Sequence, residues 1–139
     1  MATDTAGTDA RELPFQAVHY LRKAIAYNTS GIGSTGTVKV GTLPAGAVVE
    51  KVQVKVTTVF NAGTTNPLDV GTATDEDLLV DSTVTDVSLA ATGSTFVWRG
   101  ADATFAADTP IYATYAQTGT AATTGAAIII ITYTVNNDR

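Results

Sequence analysis

The sequence has no cysteine, one histidine, one tryptophan, one methionine and four prolines in 139 residues. Without thiols there can be no disulfide, thiolate zinc site or cysteine nucleophile, so packing and partners alone must hold the fold. The single His19 excludes a two-histidine metal site and is the only imidazole base that any catalytic scheme could use. Positive charge is scarce as well. Eight Lys and Arg stand against 13 Asp and Glu for a net charge of −5, and the cations are scattered as Arg11, Arg22, Lys23, Lys39, Lys51, Lys55, Arg99 and Arg139. The basic stripe that neutralises phosphates is missing, which argues against nucleic acid as a partner. Long apolar runs are missing too. The longest, Ala126 to Ile131, is far too short to cross a bilayer, and Met1 to Pro14 lacks the basic-then-apolar order of a signal peptide. No membrane partner is expected.

What is abundant is threonine, with 26 residues, followed by 22 alanines and 15 valines. Val, Ile and Thr together make up 48 residues, a β-branched excess that suits pleated, half-buried strands and is poor material for helices. The length fits one domain, able to bury roughly 65–70% of its unfolded surface. Residues 1–14 are polar and aperiodic and are expected to form a flexible N-terminal arm. Residues 15–139 are expected to form a single β-sandwich domain.

Along that domain, Phe15 to Tyr27 fits a helix or a strand, and the strand is favoured because everything after it is β. Thr37 to Leu43 reads as a strand stopped by the turn Leu43-Pro44-Ala45-Gly46. In Val48 to Phe60 the even positions Val48, Val52, Val54, Val56 and Phe60 are apolar, broken only by Glu50 and Thr58. Lys51, Gln53, Lys55 and Thr57 alternate with them as a solvent row. Pro67 opens a strand through Val70. The acidic stretch Thr74 to Val87 is a loop or one short helical turn, and further strands are expected at Ser94 to Arg99, Ala103 to Ala106, Pro110 to Gln117 and Gly125 to Val135. Many short strands with no room for crossover helices give an all-β, antiparallel sandwich of about eight strands. The last strand is apolar on both faces over Ile128 to Ile131, so it is either central or covered on its outer face.

No catalytic, cofactor or metal residues are assigned. Gly31-Ile-Gly33-Ser-Thr-Gly36 has the GxGxxG spacing of dinucleotide sites, but the third glycine opens a strand-like run ending at Pro44, where the motif needs a helix N-terminus. Asp75, Glu76, Asp77 and Asp81 offer oxygen ligands for Ca²⁺ without the spacing of a binding loop, and read as a solvated acidic edge. These residues with Asp69 or Asp86 supply carboxylates for hydrolysis, yet nothing sets a pair across a cleft. His19 reads as a strand residue, and no serine sits in a GxSxG elbow. Trp98, Tyr112, Tyr115 and Tyr133 read as core aromatics or as contact anchors, with Arg99 next to Trp98 the first choice for a protein contact.

Two stretches carry a resemblance. Gly41-Thr-Leu-Pro-Ala-Gly-Ala-Val-Val49 leads into the Val-rich strand to Phe60, Asn61-Ala-Gly-Thr-Thr-Asn66 and Leu68-Asp-Val-Gly71. Later come Phe105-Ala-Ala-Asp-Thr-Pro-Ile-Tyr-Ala-Thr-Tyr115 and Gln117-Thr-Gly-Thr-Ala121. In this phrasing, over about residues 37 to 135, the chain resembles the jelly-roll capsid decoration or cement proteins of tailed bacteriophages. The resemblance implies a jelly-roll fold, no enzymatic activity and no cofactor. It also implies a place on the outside of a phage head, with the major capsid protein as partner and self-association as a dimer or trimer. A head-fibre or tail module of the same build that binds host carbohydrate is the alternative. The residues assigned to protein contact are Arg11, Phe15, Trp98, Arg99, Ile129 and Ile131.

Overall fold

The computed structural model describes residues 18–32, 35–84, 87–98 and 105–135, the side chains of Thr35 and Trp98 excepted. Among the described residues seven strands are formed: β1 His19–Ala26, β2 Thr35–Leu43, β3 Val48–Thr58, β4 Leu68–Gly71, β5 Gly93–Trp98, β6 Thr109–Ala116 and β7 Ala126–Thr134. The acidic stretch Asp75 to Val80, where a short helical turn was the alternative to a loop, forms no helix, and one 3-10 turn follows at Ser82–Val84. The expected strand at Ala103 to Ala106 does not form over Phe105 and Ala106, and Ala103 and Thr104 lie outside the described residues, as does the expected arm, residues 1–14.

The strands make two antiparallel sheets, ordered β1-β7-β3-β5 and β2-β6-β4. Successive strands alternate between the sheets, apart from Val80, which bridges to Val70 at the edge of β4 where an eighth strand would sit. This is the wrapping of a jelly roll. The sheets meet over a core in which Val52, Val54, Ile129 and Ile131 from one side face Leu43, Leu68, Val70, Ile111 and Tyr115 from the other, all fully buried.

The two polar residues that interrupt the alternation of β3 mark irregularities in its pairing. Against β7 the register shifts between Val49 and Lys51 and again between Val56 and Thr58. An extra residue in one strand of a pair reverses the facing of the residues beyond it. Val49 is therefore fully buried while Val48, expected on the inner row, is exposed; Val52, Val54 and Val56 then point inward as expected.

Turn chemistry fixes the ends. Ala47 N–H donates to Pro44 C=O at 3.1 Å around Gly46 at φ 80°, a type II turn that needs a left-handed third residue. Asp108 Oδ1 accepts from Ala45 N–H at 2.8 Å and braces that turn from β6's approach. At the opposite end the connections 59–67 and 117–125 are clamped together. Asn61 Oδ1 accepts from Thr123 and Thr124 N–H at 2.8 and 3.0 Å, and Gly63 N–H donates to Thr120 C=O at 2.9 Å. Beneath the clamp the Phe60 and Tyr115 rings pack 5.0 Å apart, and the Tyr115 hydroxyl donates to Asn66 Oδ1 at 2.6 Å. Burial pushes the Tyr115 phenol pKa up.

Candidate functional site

No arrangement for catalysis forms among the described residues. His19 lies on β1 stacked on Tyr133, with ring centroids 5.6 Å apart. Gly36 belongs to β2, so a strand follows the glycine-rich segment where a dinucleotide site needs a helix. Among the described residues no group of three or more His, Cys, Asp or Glu is placed to hold a metal ion. The acidic side chains serve local structure instead: Asp81 Oδ1 accepts from Thr83 N–H and Oγ1 at 2.7 and 2.6 Å, and Asp69 Oδ1 accepts from Ser82 N–H at 2.6 Å. Asp75 hydrogen-bonds Asp77, which raises its pKa, aided by desolvation and by repulsion between the two carboxylates. Asp86 lies outside the described residues.

The chemistry of the molecule therefore lies on its outer surfaces. In the β1-β7-β3-β5 sheet the register lines up three cross-strand rows on the outer face. They run Tyr20, Thr132, Lys51; Arg22, Ile130, Gln53, Phe96; and Ala24, Ile128, Lys55, Ser94. Tyr20 and Phe96, on the two edge strands, are 64% and 47% exposed, values unusual enough for aromatics to mark the face. Lys51 Nζ sits 5.3 Å from the centre of the Phe96 ring, a cation–π contact. Gln53 Nε2 donates to Ser94 Oγ at 3.3 Å. Arg22, Lys51 and Lys55 outnumber the exposed Glu50 of β3 and leave this sheet's outer side basic, while Asp69, Asp75, Glu76, Asp77 and Asp81 lie on β4 and the segment after it. An acidic chain thus presents one cationic, aromatic face.

The expected contact residues divide on this frame. Ile129 and Ile131 are corrected: β7 pairs on both sides, and its register turns these two inward, where both are fully buried and offer no atom to a partner. The outward members of the isoleucine run are Ile128 and Ile130, both half-buried among neighbouring side chains. Trp98 ends β5 opposite Lys51, and its side chain lies outside what is described. Arg11, Phe15 and Arg99 lie outside the described residues. Tyr20, Arg22 and Phe96 escape sequence reasoning because their facing depends on which strands pair; the only signal was an aromatic at an alternating position.

The sequence matches no known family model, and none of the curated proteins is similar to it. Solved structures are similar in shape. A chain of the capsid asymmetric unit of cyanophage Pam1 superposes with a TM-score of 0.62 at 20% identity, covering 94% of each chain. The fold is one found in phage capsids. A chain of the Ralstonia phage GP4 capsid matches with a TM-score of 0.56 at 19% identity over 96% of this chain and 95% of that one. A chain of the acid-stable capsid of the Helicobacter pylori bacteriophage KHP30 matches at 0.55 and 16%, over 85% and 87%. The match therefore runs over most of the jelly roll in each case.

Proposed function

We propose that the chain is a non-enzymatic structural protein of a tailed-phage head that binds the outer capsid surface and cements neighbouring copies of the major capsid protein. The observation that carries this reading is the end-to-end match of its jelly roll to a chain of a phage capsid asymmetric unit, with 94% of both chains covered. The phrasing of the sequence supports it, being similar to that of the cement protein of a short-tailed Bordetella phage.

Docking uses the outer face of the β1-β7-β3-β5 sheet. Tyr20 and Phe96 supply aromatic anchors, Ile128 and Ile130 the apolar centre, and Arg22, Lys51 and Lys55 the charge that suits a carboxylate-bearing partner surface. Three rows across four strands span about 14 Å by 14 Å, roughly 200 Å². That is about a quarter of the ~800 Å² that each partner contributes to a standard stable interface. One such face alone holds weakly, so retention on the head draws on further contacts between neighbouring copies or on the segments flanking the sandwich.

The test uses heads that lack the protein. Adding the purified chain is expected to give co-sedimentation at high copy number and greater resistance to heat and osmotic shock. Heads that stay as fragile as before, with no chain in the pellet, refute the reading. A copy number of a dozen or fewer per particle points instead to a fibre or tail module.

A further inference from the structure

The opposite outer face, on the β2-β6-β4 sheet, holds a groove of about 230 Å³ lined by Thr37, Thr72, Ala73, Glu76, Tyr112 and Thr114. Its floor is the sheet itself. Thr37 and Thr114 are cross-strand partners with hydroxyls 3.1 Å apart, and Tyr112 lies two residues along β6, half-exposed. Its wall is the segment after β4, folded back over the strand. This is possible because Gly71, the cross-strand partner of Tyr112, has no side chain; a Cβ there would lie 2.7 Å from the Glu76 carbonyl oxygen and closer still to that of Asp75. The fold-back is held by Thr72 N–H donating to Asp75 C=O at 2.7 Å and by Asp75 N–H donating to Thr72 Oγ1 at 3.0 Å.

We propose that this groove binds a saccharide. Its chemistry selects one class of ligand. Tyr112 offers a flat apolar ring for the C–H face of a pyranose, the hydroxyls of Thr37, Thr72 and Thr114 can donate or accept, and the exposed Glu76 carboxylate can accept from two neighbouring sugar hydroxyls. A phosphorylated or strongly acidic ligand is disfavoured, since Glu76 lines the groove and Asp75 and Asp77 stand beside it in the chain. Lys39, across from Tyr112, is the sole cation among the described residues of these three strands. An apolar ligand is disfavoured because five of the six residues that line the groove carry a hydroxyl or a carboxylate. The volume falls below the ~300–1,000 Å³ of clefts that engulf a drug-sized molecule, which leaves room for about one ring at a time.

A single open site of this kind binds weakly. On the reading of the chain as a many-copy head protein, repetition over the shell turns weak sites into avid attachment to a glycan-coated surface. The site itself stands without that reading, and its test uses the isolated chain.

Methyl glycosides of glucose, galactose, rhamnose and N-acetylglucosamine are titrated into the labelled protein and followed by amide chemical shifts, with inorganic phosphate as a control. At least one glycoside is expected to bind saturably, with shifts confined to Thr37, the 72–76 segment and Tyr112 to Thr114. Tyr112→Ala and Glu76→Gln are each expected to weaken it about tenfold or more. Tyr112→Phe retains binding, and Phe96→Ala on the far face leaves it unchanged. Glu76 is exposed, so its variant keeps the fold even if Tyr112→Ala does not. Absence of saturable binding by all four glycosides, binding that both Tyr112→Ala and Glu76→Gln leave untouched, or phosphate producing the same shifts would each overturn the proposal. None of these outcomes bears on head binding, which is measured separately.

Discussion

The two outer faces of the sandwich are built on the same scaffold and carry opposite chemistry. The four-stranded face is aromatic and cationic, with Tyr20, Arg22, Ile130, Lys55 and Phe96. The three-stranded face is hydroxyl-rich and concave, with Thr37, Tyr112 and Thr114 under a wall that carries Glu76. The inner faces have no such freedom, because each must be apolar to form the core. What differs between outer faces is therefore not dictated by folding, and it is there that the two proposed uses separate: one side for a protein surface, the other for a small polar ligand.

That separation can be broken or sharpened by substitution. The largest effect is expected from the step between adjacent residues of β7. Ile129→Ala removes a fully buried side chain and should cost about 2–5 kcal/mol in urea unfolding. Ile128→Ala, one residue away on the outer face, should cost no more than about 1 kcal/mol while lowering head affinity. Equal losses of stability would mean that the register of β7 is wrong. Next, Tyr20→Asp and Phe96→Asp should each weaken head binding about tenfold to a hundredfold, as loss of an anchor does. Neither should alter the melting temperature much, and Tyr112→Ala should leave head binding unchanged. Identical behaviour of all three variants in the head-binding assay would erase the distinction between faces.

A smaller, few-fold effect is expected from salt. Raising it from 0.1 to 1 M shortens the screening length from about 10 to about 3 Å, which should weaken docking through Arg22, Lys51 and Lys55 and leave binding of a neutral glycoside unaffected. A salt-independent head affinity would remove the basic face from the docking surface. The smallest effect concerns the wall of the groove. The Asp75 pKa is raised above its ordinary 3.8 by its hydrogen bond with Asp77, by desolvation and by their mutual repulsion. Its stabilising contribution is present below that ordinary value and is lost as pH rises through the raised one. Asp75→Asn should therefore be slightly more stable than the parent at neutral pH, with the difference vanishing in acid. Melting curves across pH measure it, and a difference that grows in acid would contradict the pairing.

Much of the fold was legible because local rules act within a few residues. The Pro44 to Gly46 turn, the alternation of β3 and even the two residues that break it could be read from the sequence. The bulge at Glu50 reversed Val48 and Val49, which alternation alone cannot reveal. Strand pairing could not be read, and with it the outer rows: four consecutive isoleucines look the same on both faces, so Ile128 and Ile130 could not be told from Ile129 and Ile131. The groove had no motif, since Thr37, Glu76 and Tyr112 come from three distant segments. Its one trace was Gly71 closing a strand, where a missing side chain signals close approach of another stretch of backbone.

The strand order also dictates how the chain must acquire its shape. None of the ladders β1-β7, β7-β3, β3-β5, β2-β6 and β6-β4 joins strands consecutive in sequence, so neither described sheet starts from a hairpin of neighbouring strands. β7, synthesised after the other described strands, is inserted between β1 and β3, which have no ladder with each other. The four-stranded sheet can close only after synthesis has passed Thr134. Until then the edges of β1 and β3 that β7 occupies lack their partner, and Lys23, Lys51 and Lys55 on those strands are charges of the kind that discourages pairing with another chain.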